Sequence, residues 1–175
     1  MKTKSLLAAL VLSAGLFSIT ANAQTDQTAP VTVNIDLTAP VISIDLGADP
    51  TVNFLYATAA DYTVAQTQPK VGHFTVISNQ NYDITVAAQA EFTVYPAQTA
   101  VPLSVVQVSV DPATANGGTL TMQPLSMTPG ELVSDATATT GATYNVNYSI
   151  PDAAPLLGKA NEVYTTTVIY TATQL

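Results

Sequence analysis

Apolar and polar residues alternate along short stretches of this chain, and two of these stretches begin with the same motif. Thr-Ala-Pro-Val occurs at residues 28–31 and again at 38–41, and an alternating segment follows each copy. This period of two residues is that of a strand with one buried face. In the first segment the apolar positions are Val31, Val33, Ile35 and Leu37. The pattern predicts a strand close to the N-terminus.

The same period recurs through the rest of the chain, and no segment after residue 23 shows the 3.6-residue period of an amphipathic helix. Turn-forming residues, for example at 79–81 and 116–118, separate the alternating segments. Many short strands divided by turns favour an all-β sandwich with Greek-key connections. The predicted strands are 31–37, 41–46, 51–56, 72–78, 82–88, 91–95, 103–110, 119–123, 143–150 and 164–172.

The segments on either side of residues 79–81 are predicted to pair as a β-hairpin, because both alternate and a short loop joins them. Phe74 and Ile77 cannot face the same side of a regular strand. We therefore expect either a bulge in this strand or an inward Phe74 beside an inward Val76. The Thr/Ala-rich stretch 134–142 is expected to form a surface loop or a poor edge strand.

The start of the chain has the three parts of a secretory signal peptide. Lys2 and Lys4 are positively charged, residues 6–17 are mostly apolar, and the small residues at 21–23 form a cleavage site. The apolar part is too short for a membrane-spanning helix. We therefore expect export through the periplasm. The predicted organisation is a signal peptide at 1–23, an N-terminal extension at 24–38 and a β-sandwich domain at 39–175.

The charge balance excludes several classes of partner. Twelve acidic residues oppose four lysines, giving a formal net charge of −8, and two of the lysines belong to the predicted signal peptide. Nucleic acids and anionic membranes are bound mainly through Lys and Arg, so neither is expected as a partner, and no membrane insertion is expected. Because the chain has no cysteine, an exported domain would depend on its hydrophobic core for stability.

Candidate catalytic and metal-binding groups are few, so neither an enzyme activity nor a cofactor is expected. His73 is the only histidine, and no Gly-x-Ser-x-Gly motif supplies a nucleophile for it. His73 is interpreted as a strand residue that faces solvent. Asp45 and Asp49 lie on either side of Gly47, and a calcium ion there is left open. A plain turn is the favoured interpretation, because calcium needs more oxygen ligands than this spacing offers.

Four tyrosines fall on two predicted strand faces, Tyr144 with Tyr148 and Tyr164 with Tyr170. An aromatic ligand surface is one interpretation. The favoured one is that each ring packs in the sheet and exposes its hydroxyl, because aromatic residues are common stabilisers of strands.

The segment at residues 31–50, VTVNIDLTAPVISIDLGADP, resembles the mature N-terminus of alpha-fimbrial major pilins. These are the colonisation-factor and cable-pilus type subunits of the alternate chaperone–usher pathway. They also begin with an alternating strand, a proline and an Ile-x-Leu segment that leads into an acidic Gly/Ala turn, and they also lack cysteine. The resemblance does not extend through residues 51–160.

This resemblance implies an immunoglobulin-like β-sandwich that is completed in a fibre by the N-terminal strand of a neighbouring subunit. It places Pro40 near the hinge between donor strand and body. It implies as partners other copies of the chain, a periplasmic chaperone and an outer-membrane usher. The repeated Thr-Ala-Pro departs from the family pattern, so donation of residues 28–46 in trans and folding in cis both stay open. The donor residues implied by position are Val31, Val33, Ile35 and Leu37.

The predicted function is a structural subunit of a secreted surface fibre, a fimbria or pilus, that polymerises by β-strand addition and supports adhesion or biofilm. The alternative is a free-standing secreted β-sandwich, either a matrix protein or a carbohydrate- or protein-binding module. The two differ in a measurable property. A fibre subunit gives detergent-resistant ladders or sedimentable polymer, whereas a binding module stays monomeric and retains a ligand.

Overall fold

The computed structural model describes residues 32–37, 39–92 and 100–175. The chain divides into two compact units, residues 1–36 and 37–175. Residues 32–36 are the described part of the first unit, and they form no regular secondary structure. The predicted strand 31–37 is therefore not formed at residues 32–37, and Val31 lies outside the described residues.

The described part of the second unit is built from strands and short 3-10 turns, which confirms the all-β prediction. The turns cover Ala59–Thr63, Leu103–Val105, Pro112–Thr114 and Ala154–Leu156. The strands are β1 (Ile42–Leu46), β2 (Gln66–Ser78), β3 (Tyr82–Ala88), β4 (Gln107–Val110), β5 (Thr119–Leu120), β6 (Gln123–Pro124), β7 (Gly130–Ala136), β8 (Thr139–Ile150) and β9 (Val168–Gln174).

These strands form two antiparallel sheets. Sheet A has the order β1-β2-β8-β4-β6, and sheet B has the order β5-β7-β3-β9. Among the described strands, each one from β2 onward is followed by a strand of the other sheet. The chain therefore crosses repeatedly between the sheets, and neighbours within a sheet come from distant parts of the sequence.

The connection at residues 79–81 shows why the predicted hairpin is wrong. β2 pairs with β1 and β8, whereas β3 pairs with β7 and β9, so this connection joins the two sheets. Its asparagines are bonded to both sheets. Oδ1 of Asn79 accepts from the backbone N–H of Val41 at 2.9 Å, and Nδ2 of Asn81 donates to Asp135 at 2.8 Å. These bonds stabilise a link between sheets instead of a tight turn within one.

The alternating residues of both sheets form one hydrophobic core. In β3, and in β8 from Tyr144 onward, every second side chain is buried, as expected for strands with one face inward. Burying a side chain of this size stabilises the fold by roughly 1.5–3 kcal/mol. The buried residues of these two strands are Tyr82, Ile84, Val86, Ala88, Tyr144, Val146, Tyr148 and Ile150.

A bulge in β2 changes which side chains face the core. Register with β8 shifts just before Phe74, and Gly72 has a φ of 60°, with its N–H donating to Oδ1 of Asn145 at 2.8 Å. Positive φ is a conformation that glycine adopts without strain. The bulge allows His73 and Phe74, which are consecutive, both to be buried. The expected bulge and the inward Phe74 beside Val76 are both confirmed.

Several predicted strand limits are wrong. β2 begins at Gln66, well before the predicted residue 72. Pro69 is tolerated in it because, among the described strands, only β8 pairs with this part of β2. The stretch 134–142 belongs mostly to β7 and β8: residues 134–136 lie between β5 and β3, whereas residues 139–142 pair with β2 alone among the described strands. Residues 51–56 form no strand.

Other predicted segments change in part. Segment 103–110 begins as a 3-10 turn, 119–123 divides into β5 and β6, and the last strand starts at Val168 instead of residue 164. Residues 91–92 are not in a strand, and the rest of segment 91–95 lies outside the described residues.

Candidate functional site

An apolar groove of about 210 Å³ opens between β1 and β9, which lie at the edges of the two sheets. Within the described part of the chain, β1 has β2 as its only hydrogen-bonded neighbour and β9 has only β3. An edge strand of this kind presents backbone N–H and C=O groups that another strand can join. The groove is lined by Ile44, Leu46, Phe74, Val168, Ile169 and Tyr170.

The groove is a place where the hydrophobic core reaches the surface. Its floor, Phe74, is buried, but its walls are only partly covered: Leu46 is 56% exposed and Ile169 is 44% exposed. Ile44 and Val168 pack against the core and are half-buried. Alternation directs one face of each edge strand towards the core, and that face stays incompletely covered because each strand has a neighbour on one side only.

A chain of hydrogen bonds behind the groove ties β9 to sheet A. Nε2 of His73 lies 2.9 Å from the hydroxyl of Tyr148, which lies 2.5 Å from the hydroxyl of Tyr170. The His73 ring packs edge-on against both phenol rings at centroid distances of 5.5 Å. The expectation that His73 faces solvent is wrong, since the bulge at Gly72 turns it inward.

Burial controls the protonation of this cluster. It lowers the pKa of His73, and the nearby ammonium of Lys70 acts in the same direction while Asp49 opposes it. Nδ1 of His73 is buried without a hydrogen-bond partner in the described structure, so a proton there would be uncompensated. Burial also raises the pKa of Tyr148 to about 12 and raises the pKa of Tyr170. A neutral imidazole and two neutral phenols make this cluster a link between sheets.

A second pair of tyrosines bridges the sheets deeper in the core. The hydroxyls of Tyr82 and Tyr144 are 2.7 Å apart, and Nδ2 of Asn116 donates to the Tyr82 hydroxyl at 3.2 Å. Neither tyrosine is measurably exposed. The prediction that the rings pack in the sheets is confirmed for Tyr144 and Tyr148. The prediction of exposed hydroxyls is wrong, because the Tyr144 hydroxyl bonds that of Tyr82 and the Tyr148 hydroxyl bonds that of Tyr170.

The acidic residues near Gly47 take other partners. Nζ of Lys70 donates to the carboxylate of Asp49 at 2.8 Å, and this bond lowers the pKa of Asp49. Asp45 lies in β1 and is exposed. The turn is held by backbone: the N–H of Gly47 donates to the His73 carbonyl at 2.8 Å, and a Cβ on this glycine would come within 2.3 Å of a β2 carbonyl oxygen. Across the described residues, no three His, Asp or Glu side chains gather as a metal site.

The predicted donor residues are exposed where the structure describes them. Val33, Ile35 and Leu37 have 78%, 79% and 81% of their surfaces accessible. Pro40 is also exposed and lies shortly before β1, in a part of the chain without regular structure. The donor and hinge roles of these residues stay predictions.

A second cleft, of about 550 Å³, lies where the end of β2 approaches the start of β8. It offers hydroxyl and amide groups but no titratable side chain among the residues that line it. Those residues are Val41, Ile77, Ser78, Asn79, Ala138, Thr139 and Thr140.

The groove residues were not identified as a site from the sequence. Ile44, Val168 and Tyr170 each lie in a predicted strand, and their alternation correctly indicates which way they face. The sequence does not show that β1 and β9 are edge strands or that they lie beside each other, because both facts depend on pairings with distant strands.

No helix in the part of the chain that the structure describes is both long enough and apolar enough to cross a membrane. Comparison of the chain with protein-family models and with curated proteins found no match.

Proposed function

We propose that this protein is a structural subunit of a surface fibre, in which residues 31–37 of one copy occupy the groove between β1 and β9 of the next copy. One observation carries the proposal: an exposed, alternating apolar segment occurs in the same chain as an open apolar groove between two sheet edges. Strand addition uses both features, since the free edge supplies ladder hydrogen bonds and the pockets accept alternate side chains.

The segment and the edge strand have matching lengths. β9 has seven residues, and the alternating segment 31–37 has the same number. A strand added beside β9 would direct its apolar face to the core and its polar face, with Thr32, Asn34 and Asp36, outward. Each apolar side chain buried in this way stabilises the joint by roughly 1.5–3 kcal/mol.

The direction of the added strand follows from the ends of β1 and β9. Ile42 pairs with Ser78 and Gln174 pairs with Tyr82, so β1 begins and β9 ends near the connection at 79–81. In a head-to-tail fibre, the neighbouring copy presents its segment at the opposite end of the groove, where β9 begins. The added strand then runs antiparallel to β9, with its C-terminal end beside the start of β9.

In this proposal the two sheets form an immunoglobulin-like sandwich that lacks an edge strand, and the donated segment completes sheet B. An open apolar edge is an aggregation hazard before assembly. A periplasmic chaperone that covers the groove and an outer-membrane usher that exchanges it for the donated segment, as the resemblance implies, would remove that hazard. The assembled fibre would lie outside the cell and support adhesion or biofilm.

A second candidate function is a free-standing secreted binding module or matrix protein. The cleft of about 550 Å³ favours it, because Asn79, Thr139 and Thr140 offer the amide and hydroxyl groups that recognise sugars or peptides. In that case the segment 31–37 folds in cis, and the protein stays monomeric.

The substitution Ile35→Asp tests the fibre. A carboxylate at this position would enter an apolar pocket without a partner. The free-energy cost of burying this unpaired charge is several-fold larger than the loss of the apolar contact itself. We expect the secreted variant to stay a folded monomer, whereas the unchanged protein gives fibres by electron microscopy and detergent-resistant ladders in unheated gels.

Asn34→Asp is the matched control, because it adds the same charge one residue away on the polar face. It should assemble normally. Normal fibres from Ile35→Asp would contradict the donor role, and an unfolded Ile35→Asp monomer would show that the segment belongs to its own domain.

A further inference from the structure

A cluster of hydrogen bonds holds Val41, the residue just before β1. Oδ1 of Asn79 accepts from the Val41 N–H at 2.9 Å, and the Asn79 N–H donates to the Val41 carbonyl at 3.1 Å. Nε2 of Gln174 lies 2.7 Å from the same carbonyl, 2.9 Å from Oδ1 of Asn79 and 3.0 Å from Oγ of Ser78. Nδ2 of Asn79 donates to the Ala39 carbonyl at 3.1 Å. We call Asn79 and Gln174 the clamp.

The clamp joins the two sheets at one end of the groove. Asn79 follows β2 of sheet A, and Gln174 belongs to β9 of sheet B. Their bonds to Val41 cross from one edge strand to the other. The clamp therefore bridges the two edge strands near the 79–81 connection, beyond the residues that line the groove, such as Leu46 and Val168.

We propose that the clamp positions the start of β1 so that the N-terminal segment is donated to another copy instead of folding into its own groove, an inference that rests on the proposed function. To enter its own groove, the segment 31–37 would have to reverse direction before β1 and lie parallel to β9. The residues available for that reversal are 38–41.

The clamp opposes this reversal through specific backbone groups. A tight turn with Pro40 at its second position would use the Ala39 carbonyl as the acceptor of its closing hydrogen bond. Asn79 already engages that carbonyl, and Val41 has its N–H and carbonyl bonded within the clamp. Proline also biases the residue before it towards extended conformations. The clamp and Pro40 together disfavour folding in cis and leave the segment available in trans.

Disulfide trapping tests this inference in the full chain, which has no cysteine of its own. Asn34→Cys and Thr171→Cys place one thiol near the middle of the segment and one near the middle of β9, so the same pair reports both directions of insertion. Under mild oxidation, an internal disulfide gives a fast-migrating monomer on a non-reducing gel, and an intermolecular one gives a ladder.

With the clamp intact, we expect the ladder to predominate. Adding Asn79→Ala and Gln174→Ala should raise the ratio of internal to intermolecular disulfide several-fold. Gln80→Ala, an exposed glutamine of the same connection, is the matched control and should leave the ratio unchanged. Thermal unfolding of each variant separates a change of ratio from a loss of fold, and Gln174→Met alone serves if the double variant is unfolded.

The outcomes distinguish the two proposals. An unchanged ratio in folded clamp variants overturns the positioning role and leaves the fibre proposal standing. Absence of both disulfide species in every variant shows that the segment does not reach the groove at all, which overturns the fibre proposal and the clamp with it.

Discussion

His73 is a buried residue that links the two sheets and makes their link sensitive to the pH of the solution. It lies behind the groove, bonded to Tyr148 and through it to Tyr170 of β9. Its Nδ1 has no partner in the described structure. The neutral form fits this environment, and the charged form does not, because a buried N–H without an acceptor loses its hydration without compensation.

The stability of the protein is therefore expected to depend on pH through His73. Its pKa in the folded state is below the unfolded value of about 6.5, so below that pH the unfolded chain takes up a proton that the folded chain does not. Stability is complete above this value and falls as the pH falls. Urea denaturation should therefore give a lower free energy of unfolding at pH 5.5 than at pH 7.5.

His73→Phe should flatten this dependence, whatever its effect on stability at pH 7.5. Asp49 and Asp61 have lowered pKa values, so their contributions to stability are lost only at more acidic pH. They therefore do not affect the comparison between pH 7.5 and 5.5. An equally steep pH dependence in His73→Phe would show that another group is responsible.

Tyr148→Phe tests the hydrogen-bonded link itself. The change removes both bonds of the central hydroxyl and leaves the buried Nε2 of His73 and the part-buried hydroxyl of Tyr170 without this partner, which costs about 1–3 kcal/mol. Tyr164→Phe is the control, because its hydroxyl makes a longer bond of 3.4 Å at a half-buried site, and we expect a loss below about 0.5 kcal/mol. Equal melting temperatures for Tyr148→Phe and the unchanged protein would contradict the link.

The strands at the sheet edges decide what the fold can bind. β1 and β9 carry the alternation that buries half of an ordinary strand, yet each has a partner on one side only within the described chain. Inward side chains such as Ile44 and Val168 consequently line the groove, together with Ile169 from the outward face of β9. The bulge at Gly72 supplies the floor, because it brings Phe74 under the groove and His73 behind it.

Leu46→Asp tests the groove from the acceptor side. Leu46 is more than half exposed, so the fold should tolerate the charge with a loss of less than about 1 kcal/mol. A carboxylate on the groove wall should nevertheless stop the incoming segment, and fibres should be absent from electron micrographs. Ser43→Asp, exposed on the same strand, is the control and should assemble; fibres from Leu46→Asp would remove the groove from the proposed joint.

In the molecule as a whole, the chain crosses repeatedly between the two sheets, so the formation of each sheet depends on the other. From β2 onward, consecutive described strands lie in opposite sheets, so the sheets assemble from distant segments. Such pairings fold slowly and expose unpaired edges in the meantime. Without cysteine to form disulfides, the two sheets depend on the shared core and on links such as Tyr82–Tyr144 and Tyr148–Tyr170.

The class of secondary structure and the direction of many side chains follow from the local alternation of apolar and polar residues. The two-residue period identified β1, β3 and most of β8, and it offered an inward Phe74 beside Val76 as one of two alternatives for β2. These are local properties, because in an extended backbone every second side chain lies on the same face. The same period marked the apolar face of residues 31–37.

Which strands are neighbours could not be read from local alternation. The segments joined by residues 79–81 looked like a hairpin, because alternation is identical whether two strands pair within one sheet or face each other across a core. The burial of His73 likewise depended on a bulge opposite β8, and the groove on β1 and β9 being edges. Pairing is set by contacts between residues far apart in the chain, and local periodicity carries no record of them.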